Sequence, residues 1–211
     1  MVAAAAPATI GMVFECGPQG ADKQVCEYLA QQLRPGIRVK SRTLDNKDNL
    51  LRDAGKVAAQ LLKDGCTCVL VVWDLRPAWP DKKDKPCRAA ERLTVLTRLA
   101  EAGLPAGAPV CLVCIEQELE SWLLANEGAI SSLLSTPAHA YSASKVKAPD
   151  AVAQPKAAMV NHFQAARGWR YDDKVDALRV LRQLPLDLRR MRRSPSFARF
   201  ESKLVSCGAV P

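Results

Sequence analysis

The amino-acid sequence predicts an α/β protein: a parallel four-stranded sheet with helices on both faces, followed by a C-terminal helical extension. Three observations predict it. Four short apolar runs bounded by turn residues alternate with longer stretches of helical period, the order expected of βαβ units of about 30 residues. Two of the runs, 68–73 and 110–115, are apolar almost without interruption, as strands buried on both faces are. From residue 118 onward only helical spacing remains.

Taken in order, the first run is 8–14 (ATIGMVF). It leads through the turn GPQGADK into 21–33, where Val25, Tyr28, Leu29 and Leu33 recur at three and four and so share a helix face. The second run, 36–43 (GIRVKSRT), precedes a helix over 50–62 carrying Leu50, Leu51, Ala54, Val57, Ala58, Leu61 and Leu62. The third, 66–73 (CTCVLVVW), is followed by a helix over 86–102 that opens with Pro86, suited to a first helical turn, and has Leu93, Leu96 and Leu99 as its apolar positions. After the fourth run, 109–115 (PVCLVCI), helices are expected over 118–125 and 127–134, then a polar loop over 135–153. Helices over 155–168, 172–184 and 195–204 have start signals in Pro155, Asp172 and Ser194-Pro195. The expected organisation is an α/β domain over 1–135 with a basic helical extension over 136–211 packed on it.

Composition narrows the function classes. With 48% hydrophobic and 25% charged residues, the 211-residue chain is neither disordered, collagen-like nor coiled-coil. Its net charge of +8 is unevenly placed. Residues 1–140 hold sixteen basic and sixteen acidic side chains, and residues 141–211 hold fourteen and six, so the whole surplus lies in the last third. The eight cysteines are too sparse for a secreted disulfide scaffold and are read as reduced thiols. Cys66, Cys68, Cys111 and Cys114 suggest a four-thiolate zinc site, but all sit in runs read as buried strands, where thiols pack as small apolar groups. With only His139 and His162 present, a multi-histidine metal site is ruled out. The apolar start lacks the basic segment of a signal peptide, and no window reaches the ~18 uncharged apolar residues of a spanning helix, so a soluble, cytoplasmic protein without membrane contact is expected.

In a parallel sheet, ligands gather at the carboxyl ends of the strands. Glu15 follows the first run, Asp74-Leu75-Arg76 the third, and Glu116-Gln117-Glu118-Leu119-Glu120 the fourth. Several carboxylates at one edge suit a hard cation such as Mg²⁺, or a general acid/base pair. The basic last third favours a phosphate substrate. The turn GPQGADK lacks the spacing of an ATP-binding loop, although amides at the following helix start are open to an anion.

A strand ending in Glu-x-Gly and a later strand ending in Asp resemble the Toprim fold of topoisomerases, primases and OLD-family nucleases. More narrowly, VVWDLRPAWP, IEQELESWLLAN and RSPSF resemble an uncharacterised prokaryotic Toprim-like family. The resemblance implies that Glu15 acts as general acid/base or metal ligand and that Asp74 holds Mg²⁺ or Mn²⁺. It also implies a nuclease or phosphodiesterase, associated with prokaryotic defence or DNA repair and working beside an ATPase or another defence-system partner. The family's second Asp is absent: Arg76 stands there, suited either to phosphoryl oxygens or to pairing with Asp74 or Asp81. Asp81, Asp84, Glu118 and Glu120 are the candidates to replace that ligand, and a helix from 118 would let only one of Glu118 and Glu120 face the site, with Glu118 favoured.

The strongest electrostatic feature is Arg182, Arg189, Arg190, Arg192 and Arg193, where a helix would bring Arg182, Arg189 and Arg193 onto one face for phosphate contacts. Trp79, Trp122 and Trp169 are candidates to stack on bases or to anchor the core. The alternative to a metal-dependent nuclease is a non-catalytic Toprim-like module that binds nucleic acid or a protein.

Overall fold

Four parallel strands, β1 (Thr9–Phe14), β2 (Arg38–Thr43), β3 (Cys68–Asp74) and β4 (Val110–Ile115), form one sheet in the order β2-β1-β3-β4. This is a computed structural model, and it describes residues 8–207 apart from Trp79, Lys82 and Asp84. The central strands are the apolar ones, because both of their faces are covered. Ile10, Met12, Phe14, Cys68, Leu70, Val72, Val113 and Ile115 point to one face, and Val13, Val69, Val71, Trp73, Leu112 and Cys114 to the other. Each fully buried side chain of this size contributes about 1.5–3 kcal/mol.

The second face is covered by α2 (Lys47–Lys63) and α3 (Arg88–Glu101). They meet so closely at Gly55 that a Cβ there would lie 2.0 Å from the Arg98 carbonyl oxygen. The face of α3 packed against α2 and the sheet differs from the expected one. The helix buries Glu91, Val95 and Leu99, a spacing of four, while Leu93 and Leu96 stay exposed. The helix also begins after Pro86, with Cys87 as its N-cap, and α2 begins earlier than 50 because the Asn46 side chain caps it by accepting from the Asn49 amide at 2.9 Å.

The first face is covered by α1 (Ala21–Leu33) and by all the helices after β4: α4 (Glu120–Leu124), α5 (Glu127–Leu134), α6 (Pro155–Arg167), α7 (Asp173–Arg182), α8 (Leu188–Met191) and α9 (Pro195–Ser206). The C-terminal helices share one hydrophobic cluster with α1 and the sheet. Asp172 and Ser194 cap α7 and α9 by accepting from the amides of Lys174 and Phe197. The segments ESWLL and RSPSF form a clasp. Trp122 Nε1 donates to Ser196 Oγ at 2.8 Å, Asp150 accepts from the Ser196 amide at 2.7 Å and from the Ser194 hydroxyl, and the Trp122 ring meets Phe197 edge-on at 5.6 Å. Trp122 is therefore a core anchor.

Two expectations about the helical extension are corrected. Pro185 follows the end of α7, so Arg182 and Arg189 lie on separate helices and Arg182, Arg189 and Arg193 share no single face. The cysteines are not all thiols: Cys68 at the start of β3 and Cys207 after α9 form a disulfide with Cα atoms 5.5 Å apart, the strand and the helix end being neighbours in the same cluster. Cys68 and Cys114 face opposite sides of the sheet, so the zinc reading fails as the strand alternation requires. No helix among the described residues is long and apolar enough to cross a membrane.

Candidate functional site

The topology makes the ends of β1, β3 and β4 neighbours, and that places the acidic residues after those strands at one edge. The Asp74 amide donates to Glu15 Oε1 at 2.8 Å, which links the first two strand ends directly. Asp74 Oδ2 accepts from the Leu119 amide at 3.4 Å, and the Arg76 amide donates to the Gln117 carbonyl at 3.0 Å, tying in the segment after β4. Three buried oxygens here have no protein partner: Glu15 Oε2, Asp74 Oδ1 and Gln117 Oε1. Unpartnered buried oxygens are costly, and half of the six unpaired buried side-chain atoms among the described residues fall at this edge.

The electrostatics follow from burial. Desolvation pushes the Glu15 carboxyl up to about 8, opposed by the charge of Lys47. It pushes Asp22 up to about 6 and Glu120 up to about 7. Asp74 is held well above the usual carboxylate range, first by burial and then by the charges of Asp22, Glu15, Glu120 and Glu118. The cluster is one of mutually repelling acids with too little positive charge inside it. Lys156 is the cation at its border. It pairs with Asp173 at 3.1 Å, and although burial pulls its ammonium down, Glu120 and Asp173 raise it overall.

Lys47 fixes the loop that follows Asp74. Its ammonium, buried at the start of α2, donates to the carbonyls of Leu75 at 2.8 Å and Pro77 at 2.6 Å and pairs with Glu91 at 3.4 Å. Glu91 in turn accepts from Trp73 Nε1 at 2.8 Å.

Of the residues singled out from the sequence, Glu15 and Asp74 meet, and Glu118 and Glu120 both act on Asp74. The two do not share a helix as expected, because α4 begins at Glu120 and Glu118 precedes it. Glu118 Oε2 accepts from the Lys156 amide at 3.2 Å and thereby caps α6, while Glu120 Oε1 accepts from the Tyr171 hydroxyl at 3.3 Å. The Arg76 side chain is exposed and forms no ion pair with Asp74 or Asp81 among the described residues. Asp81 is turned to the Lys83 amide at 2.8 Å, and Asp84 and Trp79 lie outside the described residues. The first turn of α1 carries Asp22, so an anion at that helix start meets a carboxylate.

The arginines of the tail divide. Arg193 is an internal brace that donates to the carbonyls of Val146 at 2.8 Å and Ala125 at 2.5 Å and pairs with Glu127. Arg192 forks onto Glu201 at 2.7 and 2.6 Å, Arg190 pairs with Asp187 at 2.9 Å, and Arg182 lies over the Tyr28 ring at 5.4 Å. Arg189 is exposed, with no acid partner among the described residues. A better placed groove, about 890 Å³ in volume, borders the acidic cluster at Lys156, Tyr171 and Asp173. Trp169 and Arg170 also line it; Trp169 is 45% exposed, with the Arg167 guanidinium 4.4 Å from its ring centroid.

Asp22, Gln117 and Lys156 were missed by sequence reasoning. Asp22 and Gln117 carried a signal, since each lies within a strand-end turn that was inspected. Lys156 carried none, because only tertiary packing brings α6 to the sheet edge.

No group of three His, Cys, Asp or Glu side chains among the described residues is arranged to hold a metal ion. Mg²⁺ needs only one or two carboxylates when waters and substrate phosphates complete its shell, and Glu15 and Asp74 each carry one oxygen without a protein partner. The donors are all oxygen, which suits Mg²⁺ or Mn²⁺, so the residues present fit such an ion. A family described as a domain of unknown function (DUF4276) matches residues 19–205. No curated protein and no solved structure matches the chain.

Proposed function

Because the chain belongs to the DUF4276 family, whose description names no activity, we propose from its acidic sheet edge that it is a Mg²⁺- or Mn²⁺-dependent nuclease or phosphodiesterase acting on nucleic acid. The observation that carries this reading is the pair of buried, unpartnered carboxylate oxygens, Glu15 Oε2 and Asp74 Oδ1, in a cluster of mutually repelling acids. A divalent cation held there supplies Lewis-acid polarisation of a phosphoryl oxygen and of water. Glu15 and Asp74 hold it. Arg76, exposed two residues beyond Asp74, offers a guanidinium to phosphoryl oxygens, and Lys156 adds a positive charge on the groove side. Trp169 gives the groove a face on which a base stacks, and Arg167 fixes that ring.

The resemblance of Glu15 and Asp74 to Toprim positions supports the same chemistry. It extends the proposal to a cytoplasmic protein of prokaryotic defence or DNA repair, partnered by an ATPase. Arg76 in place of a second Asp favours a second reading, a module that binds nucleic acid or protein without cutting. The test is to incubate the protein with plasmid and single-stranded DNA and RNA, with Mg²⁺, with Mn²⁺ or with EDTA, beside Glu15→Ala and Asp74→Ala. Metal-dependent cleavage lost in both variants is expected. Salt-sensitive binding without cleavage would establish the second reading instead.

A further inference from the structure

A second cavity, of about 260 Å³, lies at the outer edge of β4 between α3 and α9, away from the acidic cluster. Its apolar floor is Trp73, Leu112 and Cys114, which share one face of the sheet. Its walls are basic: Arg88 and Arg92 are one helical turn apart on α3, and Arg199 and Lys203 are one turn apart on α9. Two acids lie beside it among the described residues: Glu116, whose Oε1 is shared by Arg199 at 2.6 Å and Arg88, and Glu91, which accepts from Trp73 Nε1 and is paired with Lys47. With Glu91 matched by Lys47, the four lining cations against Glu116 leave three positive charges around the space. Arg92 and Lys203 have no acid partner among the described residues.

Basic side chains over a strand edge have a plain use, since they discourage pairing with another chain. Arg199 serves it by donating to the Cys114 carbonyl at 3.4 Å. That use does not explain Arg92 and Lys203, whose like charges face the same cavity, a repulsive arrangement that an anion relieves. The volume holds roughly nine waters at about 30 Å³ each, and falls below the roughly 300–1,000 Å³ of sites for drug-sized ligands. The space suits a small anion, and Glu116 holds the guanidinium groups of Arg88 and Arg199 at its side.

We propose that this cavity binds a phosphoryl group, with Arg92 and Lys203 as its free contacts and Arg88 and Arg199 held ready by Glu116. The phosphoryl group belongs either to a free phosphate compound or to a nucleic-acid backbone. Binding here does not depend on cleavage at the acidic edge.

The test compares wild type, Arg92→Ala/Lys203→Ala and a charge-matched control, Lys56→Ala/Lys63→Ala, on the exposed surface of α2. Inorganic pyrophosphate is titrated by calorimetry, and labelled poly(dT) by anisotropy across a salt series. If the source is a free phosphate compound, pyrophosphate affinity falls at least about tenfold in the cavity variant and stays near wild type in the control. If the source is the backbone, poly(dT) affinity falls about 25-fold near 0.1 M salt, and the slope of log K on log salt shrinks by about 1.4 relative to wild type. Equal behaviour of cavity variant and control with both probes would overturn the proposal, even where poly(dT) binding itself persists. Arg92, Lys56 and Lys63 are exposed and Lys203 is half-buried, and far-ultraviolet circular dichroism and thermal midpoints verify that each variant folds.

Discussion

Glu15→Gln is expected to make the metal-free protein more stable. Burial pushes the Glu15 carboxyl from an ordinary value of 4.5 up to about 8. A group raised in this way contributes its stability below the unfolded value and loses it as pH rises through the folded value. The loss therefore grows between pH 4.5 and 8, reaching about 3 kcal/mol at pH 7 and under about 1 kcal/mol at pH 5. Glutamine keeps an oxygen for the Asp74 amide and removes the charge that must be neutralised. For a domain of this size, about 2–4 °C per kcal/mol makes the midpoint rise roughly 6–12 °C at pH 7 and only a few degrees at pH 5. Thermal unfolding in EDTA, followed by circular dichroism at both pH values, reads this. Millimolar Mg²⁺ should raise the wild-type midpoint and leave the variant's unchanged. A variant less stable than wild type at pH 7, or an equal gain at pH 5, would refute the account of Glu15 as a buried carboxyl short of a cation.

Arg193→Ala should cost about 1–3 kcal/mol in urea unfolding, because it leaves two carbonyls unpaired and Glu127 with only Arg190 at 3.8 Å, while leaving the salt slope of poly(dT) binding unchanged. Trp169→Ala should do the reverse, weakening poly(dT) binding by about 1–3 kcal/mol with little change in midpoint, since the ring is exposed. Cys207→Ser should lower stability by about 2–4 kcal/mol under oxidising conditions and have no such effect in reductant. A free thiol count of eight in the non-reduced, denatured protein would show that the bond does not form.

Periodicity alone reached the architecture. The four apolar runs became β1 to β4, and the turn residues and caps at Asp172 and Ser194 marked helices within a few residues. Local physics decides such features: strands buried on both faces must be apolar, and helix ends must satisfy their amides. Orientation is not local. Leu93, Leu96 and Leu99 form one possible helical stripe, and packing against α2 buries Leu99 with Val95 instead of with Leu93 and Leu96.

The candidate site divides the same way. Glu15 and Asp74 were readable because a parallel sheet gathers its strand ends, whatever covers them. The single arginine face expected in the tail did not form, and a charge count cannot distinguish an arginine that braces a loop from one that meets solvent. Arg193 turns inward to Glu127, whereas Lys156, a single lysine in an unremarkable helix, arrives beside the acids. The sequence by itself determined the sheet, its acidic edge and the size of the positive surplus. Tertiary structure alone decided which charges that edge meets, because Coulomb and desolvation energies depend on distance and burial, and packing sets both.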